Sequence, residues 1–166
     1  SNIPWKCLKI HPYLHPDGWK PNGELVQEVI DIARELSLPL LIHTGNESYC
    51  YASRFEELYQ QHPNIRFILA HGRPNNEAIC LAKQYDNVFV DSAFMPIHEM
   101  KMFIDNDISH KLLWGTDMCI PKHFYPDVDM QTYYRDKLEA FRAICNNDKF
   151  YQVTSHNAMK VFQIQN

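Results

Sequence analysis

Three short, mostly apolar runs in this chain each end in a side chain that can bind a metal ion. Residues 38–42 lead into His43, residues 65–70 into His71 and residues 111–116 into Asp117. Apolar runs of this length, separated by amphipathic patterns, are typical of buried parallel strands. Because parallel strands end at the same face of a sheet, the pattern predicts that the three side chains converge there. Imidazole and carboxylate groups are also the ligands that catalytic zinc and similar divalent ions use.

The size and charge of the chain limit its function. It has 166 residues, of which 45% are hydrophobic and 22% charged, as in an ordinary globular protein. We therefore predict a single α/β domain over residues 1–166. The net charge of −4 and the pI near 6.1 argue against nucleic acid or an anionic membrane as a partner. No run approaches the roughly 20 apolar residues that a membrane span needs.

The cysteines and the N-terminus predict a cytoplasmic location. The five cysteines are scattered and form no Cys-x-x-Cys pair, which favours free thiols in a reducing compartment. Cys7 and Cys80 fall in apolar patterns and are expected to be buried. The first residues lack the basic start and apolar block of a secretory signal, and the missing initiator Met suggests a processed or excised N-terminus.

The predicted strands alternate with predicted helices. The strand ends at positions 11, 43, 71, 91 and 117 are 20 to 32 residues apart, the length of a βα unit. This spacing predicts a parallel sheet with right-handed crossovers. One sequence does not give the strand order, so a Rossmann-like open sheet stays an alternative. The absence of a Gly-rich phosphate turn argues against dinucleotide binding.

The helices are predicted from apolar periodicity and capping residues. The first is predicted over residues 23–36, capped by Asn22, with an inward face formed by Leu25, Val29, Ile32, Ala33 and Leu36. Further helices are predicted from Ser53, around residues 78–82, after Pro96, and over residues 130–144 and 157–162. The segment between Asp117 and residue 130 is predicted to be a loop.

Five motifs along the chain occur in the order found in one enzyme superfamily. They are Lys9-Ile10-His11-Pro12, Leu41-Ile42-His43-Thr44-Gly45, Leu69-Ala70-His71-Gly72, Gly115-Thr116-Asp117 and His156-Asn157-Ala158-Met159-Lys160-Val161-Phe162. From about residue 6 to residue 162 the chain resembles the amidohydrolase superfamily, and most closely its amidohydrolase-related branch of hydrolases and decarboxylases.

The resemblance implies a (β/α)₈ TIM barrel and a set of site residues. It implies that His43 and His71, on strands 5 and 6, bind a divalent metal. Asp117, on strand 8, would ligate the metal or take a proton from its bound water, and His11, on strand 4, would face the same pocket. Zinc is the expected ion, with manganese or iron as alternatives, because nitrogen and oxygen ligands suit all three. The substrate would be a small molecule.

The chain also departs from the family pattern. The His-x-His pair of strand 1 occurs nowhere in it. Counted back from Asp117 as strand 8, the sequence supplies strands 4 to 8, whereas a whole barrel takes about 250 residues. We therefore expect an incomplete barrel of about five parallel strands with two open edges, the C-terminal part of a hydrolase barrel. Three explanations stay open: a fragment of a longer protein, closure against another copy or a separate N-terminal chain, or a rearranged open sheet.

Other residues near the strand ends each have two interpretations. Arg73 can hold a substrate carboxylate in a bidentate grip or form a surface salt bridge. Asp91 can orient a ligand histidine or cap the following helix. Lys9 is expected to contact the barrel interior or a loop rather than to bridge two metals after carboxylation. Cys119 can line the site or serve as an ordinary small residue.

Three functional hypotheses follow. The first is a hydrolase whose metal activates water for attack on a C–N or C–O bond, with Asp117 as the general base, and nonoxidative decarboxylation is its close variant. The second is a non-catalytic barrel remnant that binds a partner or ligand. The third, a metal-dependent nuclease, is disfavoured by the lack of basic bias. The substrate depends on loop residues and is not predicted.

Overall fold

The computed structural model describes residues 5–14, 19–118 and 120–164, which form a parallel sheet flanked by helices. The strands are β1 (Leu8–Ile10), β2 (Leu40–His43), β3 (Phe67–Ala70), β4 (Val88–Asp91) and β5 (Leu112–Leu113). Each strand pairs in parallel with the next, so β1 and β5 are the edges of the described sheet. This sequential order confirms the incomplete barrel of five strands and differs from the reversed order of a Rossmann-like sheet.

Eight α-helices occur in the described part of the chain. They are α1 (Glu24–Glu35), α2 (Glu56–Gln61), α3 (Asn75–Gln84), α4 (Ile97–Asp105), α5 (Ile120–Phe124), α6 (Met130–Ala143), α7 (Asn147–Tyr151) and α8 (Asn157–Phe162). The predicted helices over 130–144 and 157–162 are confirmed as α6 and α8. Helix α5 occupies the segment predicted as a loop, and α7 together with a π-helix at Gln152–His156 was not predicted.

The two faces of the sheet pack against different parts of the chain. On one face, side chains such as Ile42 and Leu69 belong to the main core with α1, α2, α3, α4 and α6. On the other face, Ile68 and Phe89 form a smaller cluster with Val161 of α8. Because side chains alternate along a strand, the strand-end histidines of β1 and β2 lie on this second face.

Helix α1 buries only part of its predicted inward face, since Ala33 is buried and Val29 packs partly buried against the core. The buried side chains are Val26, Ile30 and Ala33, whereas Leu25, Ile32 and Leu36 are 60%, 45% and 55% exposed. The two sets are centred roughly 100° apart around the helix axis. The apolar arc is therefore wider than the buried face, and periodicity alone assigned three exposed residues to the inward face. The residue at the N-cap is Gly23 instead of the predicted Asn22, and no side chain caps this end.

The exposed flank of α1, formed by Leu25, Ile32 and Leu36, points away from α2. Arg34 Nη2 lies 3.2 Å from Nδ1 of His62, the residue after α2, and so marks the α2 side of the helix. Leu25, Ile32 and Leu36 lie about half a turn away from Arg34, on the side of the helix opposite to α2. This flank, formed by Leu25, Ile32 and Leu36, is an exposed apolar surface.

The last strand is shorter than the sequence suggests. The apolar run covers residues 111–116, but β5 contains only Leu112 and Leu113. Lys111 ends a 3₁₀-helix and its Nζ donates to the carbonyl oxygens of Tyr85 and Asp86. After β5, Trp114 N–H donates to Val153 O in the π-helix, so the chain leaves the sheet at this residue.

Two cysteine predictions have different outcomes, and a third has no structural test. Cys7 is partly buried, but Cys80 is exposed on α3, so its predicted burial is wrong. Cys119 lies outside the described residues.

Among the helices that the structure describes, none has both the length and the apolar character needed to cross a membrane.

Candidate active site

A cavity of about 610 Å³ opens at the carboxyl ends of the strands. Its walls bring together five of the predicted site residues, which are His11, His43, His71, Arg73 and Asp117. Lys9, which the sequence placed in the interior or in a loop contact, also lines the cavity. The sixth predicted residue, Asp91, is not among the lining residues and lies behind the wall.

Three imidazoles form one side of the cavity. The rings of His11 and His43 are stacked, with centroids 3.8 Å apart, and the ring of His71 meets His43 edge-on at 5.0 Å. Burial, and then the proximity of His11 and His71, lowers the pKa of His43 to about 3. His43 is therefore neutral near pH 7, and burial also lowers the pKa of His71.

The orientation of His71 is fixed by a backbone carbonyl. The side chain is 6% exposed, and its Nδ1 lies 3.2 Å from the carbonyl oxygen of Ala93. Because a carbonyl only accepts hydrogen bonds, Nδ1 carries the proton in a neutral ring, and Nε2 keeps its lone pair. The next residue must be glycine, since Gly72 has φ +56° and a Cβ there would lie 2.5 Å from Val90 Cγ1.

Arg73 is held near the cavity through its own backbone. The buried Thr44 hydroxyl donates to Ala70 O at 2.6 Å and accepts from Arg73 N–H at 2.9 Å. Arg73 Nη2 lies 3.5 Å from Phe94 O, and none of the described ion pairs includes Arg73 or Lys9. The predicted surface salt bridge of Arg73 is therefore not observed among the described residues.

Asp91 acts on the site through the backbone. Its Oδ1 accepts a hydrogen bond from Ala93 N–H at 2.9 Å, and the carbonyl of the same Ala93 is the partner of His71. Asp91 therefore does not cap α4, whose N-cap is Pro96. Burial raises the pKa of Asp91. The carboxylate lies against Gly115, where an added Cβ would overlap its Oδ2 and lie 2.5 Å from Cγ.

Three residues of the site region adopt left-handed backbone conformations without being glycine. The φ angles are +69° at His71, +59° at Phe94 and +48° at Asp117. The remaining described residues of this kind, Ser37, Asp107 and Gln163, follow the ends of α1, α4 and α8, where this conformation is common. The unexplained local strain is therefore concentrated around the cavity, as expected for a functional site.

The expected metal-ligand set is only partly assembled. His43 and His71 converge and Asp117 faces the same cavity, and these donors suit a divalent ion. However, across residues 5–14, 19–118 and 120–164 no three His, Cys, Asp or Glu side chains are grouped closely enough to hold a metal ion. The described side chains therefore do not fit a closed metal site.

Sequence reasoning missed Thr44 and Phe94. Thr44 directly follows His43 in the predicted motif, so the motif itself could have indicated it. Phe94 packs edge-on against His71 at 5.8 Å and against Phe124 of α5 at 6.3 Å, which makes an aromatic wall for the cavity. No local pattern indicates this wall, because its rings come from separate parts of the chain.

The sequence matches a protein family, and the fold matches solved structures. The amidohydrolase family profile matches residues 8–164. No curated protein matches the chain. Among solved structures, an uncharacterized TIM-barrel protein from Bordetella bronchiseptica has a TM-score of 0.74 at 16% identity, with 95% of this chain and 57% of that chain covered.

Two further solved structures have functional names. The 4-oxalomesaconate hydratase LigJ from Rhodopseudomonas palustris has a TM-score of 0.68 at 14% identity, covering 95% of this chain and 55% of that one. A probable 2-pyrone-4,6-dicarboxylic acid hydrolase from Acinetobacter baumannii, with citric acid bound, has a TM-score of 0.63 at 15% identity, covering 94% and 63%. The chain thus spans 55% to 63% of the length of these three structures.

Proposed function

Because the chain belongs to the amidohydrolase family, we propose that it hydrolyses a small molecule in the cavity at the carboxyl ends of its strands. One observation carries this proposal. The carboxylate of Asp117 faces the same cavity as two imidazoles, His43 and His71, whose pKa values are lowered by burial. A general base beside neutral hydrogen-bonding rings is the arrangement that activation of water requires.

In the proposed reaction Asp117 removes a proton from water while the water oxygen attacks the substrate carbonyl carbon. His71 Nε2 accepts a hydrogen bond from the same water and orients it, since Nδ1 is occupied by Ala93 O. The tetrahedral intermediate then breaks its C–N or C–O bond. The proton on Asp117 passes to the departing nitrogen or oxygen, which restores the carboxylate.

The cations of the cavity suggest that the substrate carries carboxylate groups. Lys9 and Arg73 both line the cavity, and neither belongs to a described ion pair. An arginine can hold a carboxylate with two parallel hydrogen bonds. The names of the two neighbours, an oxalomesaconate hydratase and a pyrone dicarboxylic acid hydrolase with bound citric acid, support this class of substrate. Decarboxylation of such a molecule is the close variant.

The zinc ion expected from the sequence at His43, His71 and Asp117 has no part in the proposed reaction. Because the described side chains do not form a closed ligand set, no step of the proposed reaction passes through a metal. The hydrolysis is derived from the base, the imidazoles and the cations alone.

The open edge of the sheet favours completion by additional βα units. Within the described sheet β1 has a strand partner on one side only, and α1, the helix that follows it, exposes an apolar flank. A preceding segment or a second copy that supplied a strand and an amphipathic helix would cover both. If the sheet stays open and no turnover occurs, the alternative of a non-catalytic binding module gains support.

A paired substrate panel tests the proposed hydrolysis. The 166-residue chain is incubated with lactones, esters and amides that carry one or two carboxylates, and with their uncharged methyl esters. We expect turnover of carboxylated compounds, loss of turnover in Asp117→Asn, and no change in Asp105→Asn, whose carboxylate lies in an exposed ion pair on α4. Absence of turnover, equal turnover of the uncharged esters, or an active Asp117→Asn variant would contradict the proposal.

A further inference from the structure

Helix α6 reaches the segments that carry the site, although neither contact lies in the cavity. Tyr134 Oη donates a hydrogen bond to Thr116 O at 2.7 Å, and Lys137 Nζ donates one to Ser92 O at 3.0 Å. The two side chains are three residues apart and therefore share one side of α6. Neither is among the residues that line the cavity.

The Lys137 contact lies one residue from the carbonyl that orients His71. Ser92 is fully buried and its carbonyl oxygen also accepts from Met95 N–H at 3.0 Å, so Lys137 adds a second donor at a tight turn. The following carbonyl, that of Ala93, accepts the His71 Nδ1–H. A shift of this turn therefore moves the only described partner of the His71 ring nitrogen.

The surroundings of Lys137 hold its ammonium group in place. Nζ lies 5.5 Å from the centroid of the Trp114 ring, within the range of a cation–π contact. The charge of Asp91 acts on the same ammonium, and that carboxylate binds Ala93 N–H. The lysine therefore stabilises the turn through Ser92 O, and its charge opposes the rise that burial causes in the pKa of Asp91.

The Tyr134 contact likewise lies next to a functional residue, in this case Asp117. Thr116 O, its acceptor, belongs to the peptide unit that leads directly into Asp117. Asp117 has φ +48°, a left-handed conformation that is unfavourable for a residue other than glycine and needs support from its surroundings. The tyrosine supplies such support from outside the cavity.

We propose that Tyr134 and Lys137 are positioning residues of this site: Lys137 fixes the tautomer and orientation of His71, and Tyr134 fixes the carboxylate of Asp117. The kinetic part of this inference rests on the proposed hydrolysis. The part concerning His71 does not, because the state of an imidazole is measurable without substrate.

The His71 part is tested by NMR. Two-bond ¹H–¹⁵N spectra of histidine-labelled protein near pH 7.5, assigned with His71→Gln, report which ring nitrogen carries the proton. We expect the Nδ1–H form in the wild type, a mixture of tautomers or a broadened signal in Lys137→Met, and recovery of the Nδ1–H form in Lys137→Arg. Tyr134→Phe should leave the His71 signal unchanged. The matched control is Lys149→Met, since Lys149 is also a partly buried lysine that contacts a carbonyl, that of Ile104 at 3.4 Å.

The kinetic part is tested on the best substrate of the panel. We expect kcat to fall between about 10-fold and 100-fold in Lys137→Met and Tyr134→Phe with KM little changed, because displacement of a catalytic group by about 1 Å has this scale of effect. Tyr133→Phe, the neighbouring residue, should keep wild-type kcat. An unchanged His71 tautomer in Lys137→Met, or a loss in KM alone, would overturn the inference. A wild type without turnover contradicts the proposed hydrolysis, and the tautomer measurement alone then decides whether Lys137 positions His71.

Discussion

The contact between Gly115 and Asp91 predicts a strong coupling between two substitutions. In Gly115→Ala the new Cβ would overlap Asp91 Oδ2 and lie 2.5 Å from Cγ, so the carboxylate has to move. Gly115, unlike Gly72, does not have a left-handed backbone, so alanine itself is compatible with the local conformation. The cost of the substitution therefore comes from displacing Asp91.

The size of the effect follows from the hydrogen bond that is lost. Asp91 Oδ1 accepts from Ala93 N–H at 2.9 Å, and Ala93 is 2% exposed, so no water replaces the carboxylate. Loss of a hydrogen bond to a charged group at a buried donor costs about 2 kcal/mol, and overpacking adds about 1 kcal/mol. We expect Gly115→Ala to cost about 3 kcal/mol and Asp91→Ala about 2 kcal/mol. The double variant should cost only about 2 kcal/mol, because the overlap no longer exists.

Urea unfolding followed by circular dichroism measures the free energies of unfolding of the wild type, the two single variants and the double variant, which form a double-mutant cycle. The expected coupling energy is about 3 kcal/mol, at the upper end of the range for residues in contact. A coupling below about 0.5 kcal/mol, within the error of additive behaviour, would refute the close approach of Gly115 and Asp91. The NMR signal of His71 gives an independent check, because the displaced Asp91 releases Ala93.

Three further predictions concern the core, the thiols and the metal. Ile30→Ala, at a fully buried position, should lower the free energy of unfolding by about 3 kcal/mol. Ile32→Ala, at a position that is 45% exposed, should change it by less than about 0.5 kcal/mol. Equal losses of the two variants in urea unfolding would contradict the observed buried face of α1. Alkylation at pH 8, resolved by mass spectrometry, should label exposed Cys80 well before Cys7, because burial raises the pKa of Cys7 to about 11 and leaves roughly one Cys7 side chain in a thousand as thiolate. Labelling of Cys7 should accelerate as the pH approaches 11. Equal labelling rates of the two cysteines at pH 8 would contradict the burial of Cys7. After treatment with EDTA, exposure to zinc and dialysis, the chain should retain well under one equivalent of zinc; one full equivalent that His43→Ala abolishes would show that the ligand set closes in solution.

The convergence of His43, His71 and Asp117 on one cavity was predictable because it follows from a simple rule. Apolar runs at βα spacing give parallel strands, and parallel strands end at one face. His11 and Arg73 also line this cavity, although the sequence left a surface salt bridge open as the alternative for Arg73. These positions depend only on where each strand ends. The rule is reliable because it uses only the few residues around each strand end.

Features that depend on packing between distant segments were not predictable. The inward face of α1 was predicted only in part, because Leu25 and Ile32 extend an apolar arc that is only partly buried. The contact of Lys137 with Ser92 joins residues 45 positions apart, and that of Tyr134 with Thr116 joins residues 18 positions apart. Helical periodicity gives no sign that these side chains reach strand ends.

Citrate binding tests most directly whether the cavity at the strand ends is the functional site for carboxylated molecules. Isothermal titration of the chain with citrate should give one site, with a Kd raised at least about ten-fold in Arg73→Ala, since loss of a charge-assisted contact costs about 1.5 kcal/mol or more. Arg135→Ala, which removes an exposed cation of α6 paired with Asp136, should leave the Kd unchanged. No binding, or the same Kd in Arg73→Ala as in the wild type, would contradict the assignment of this cavity.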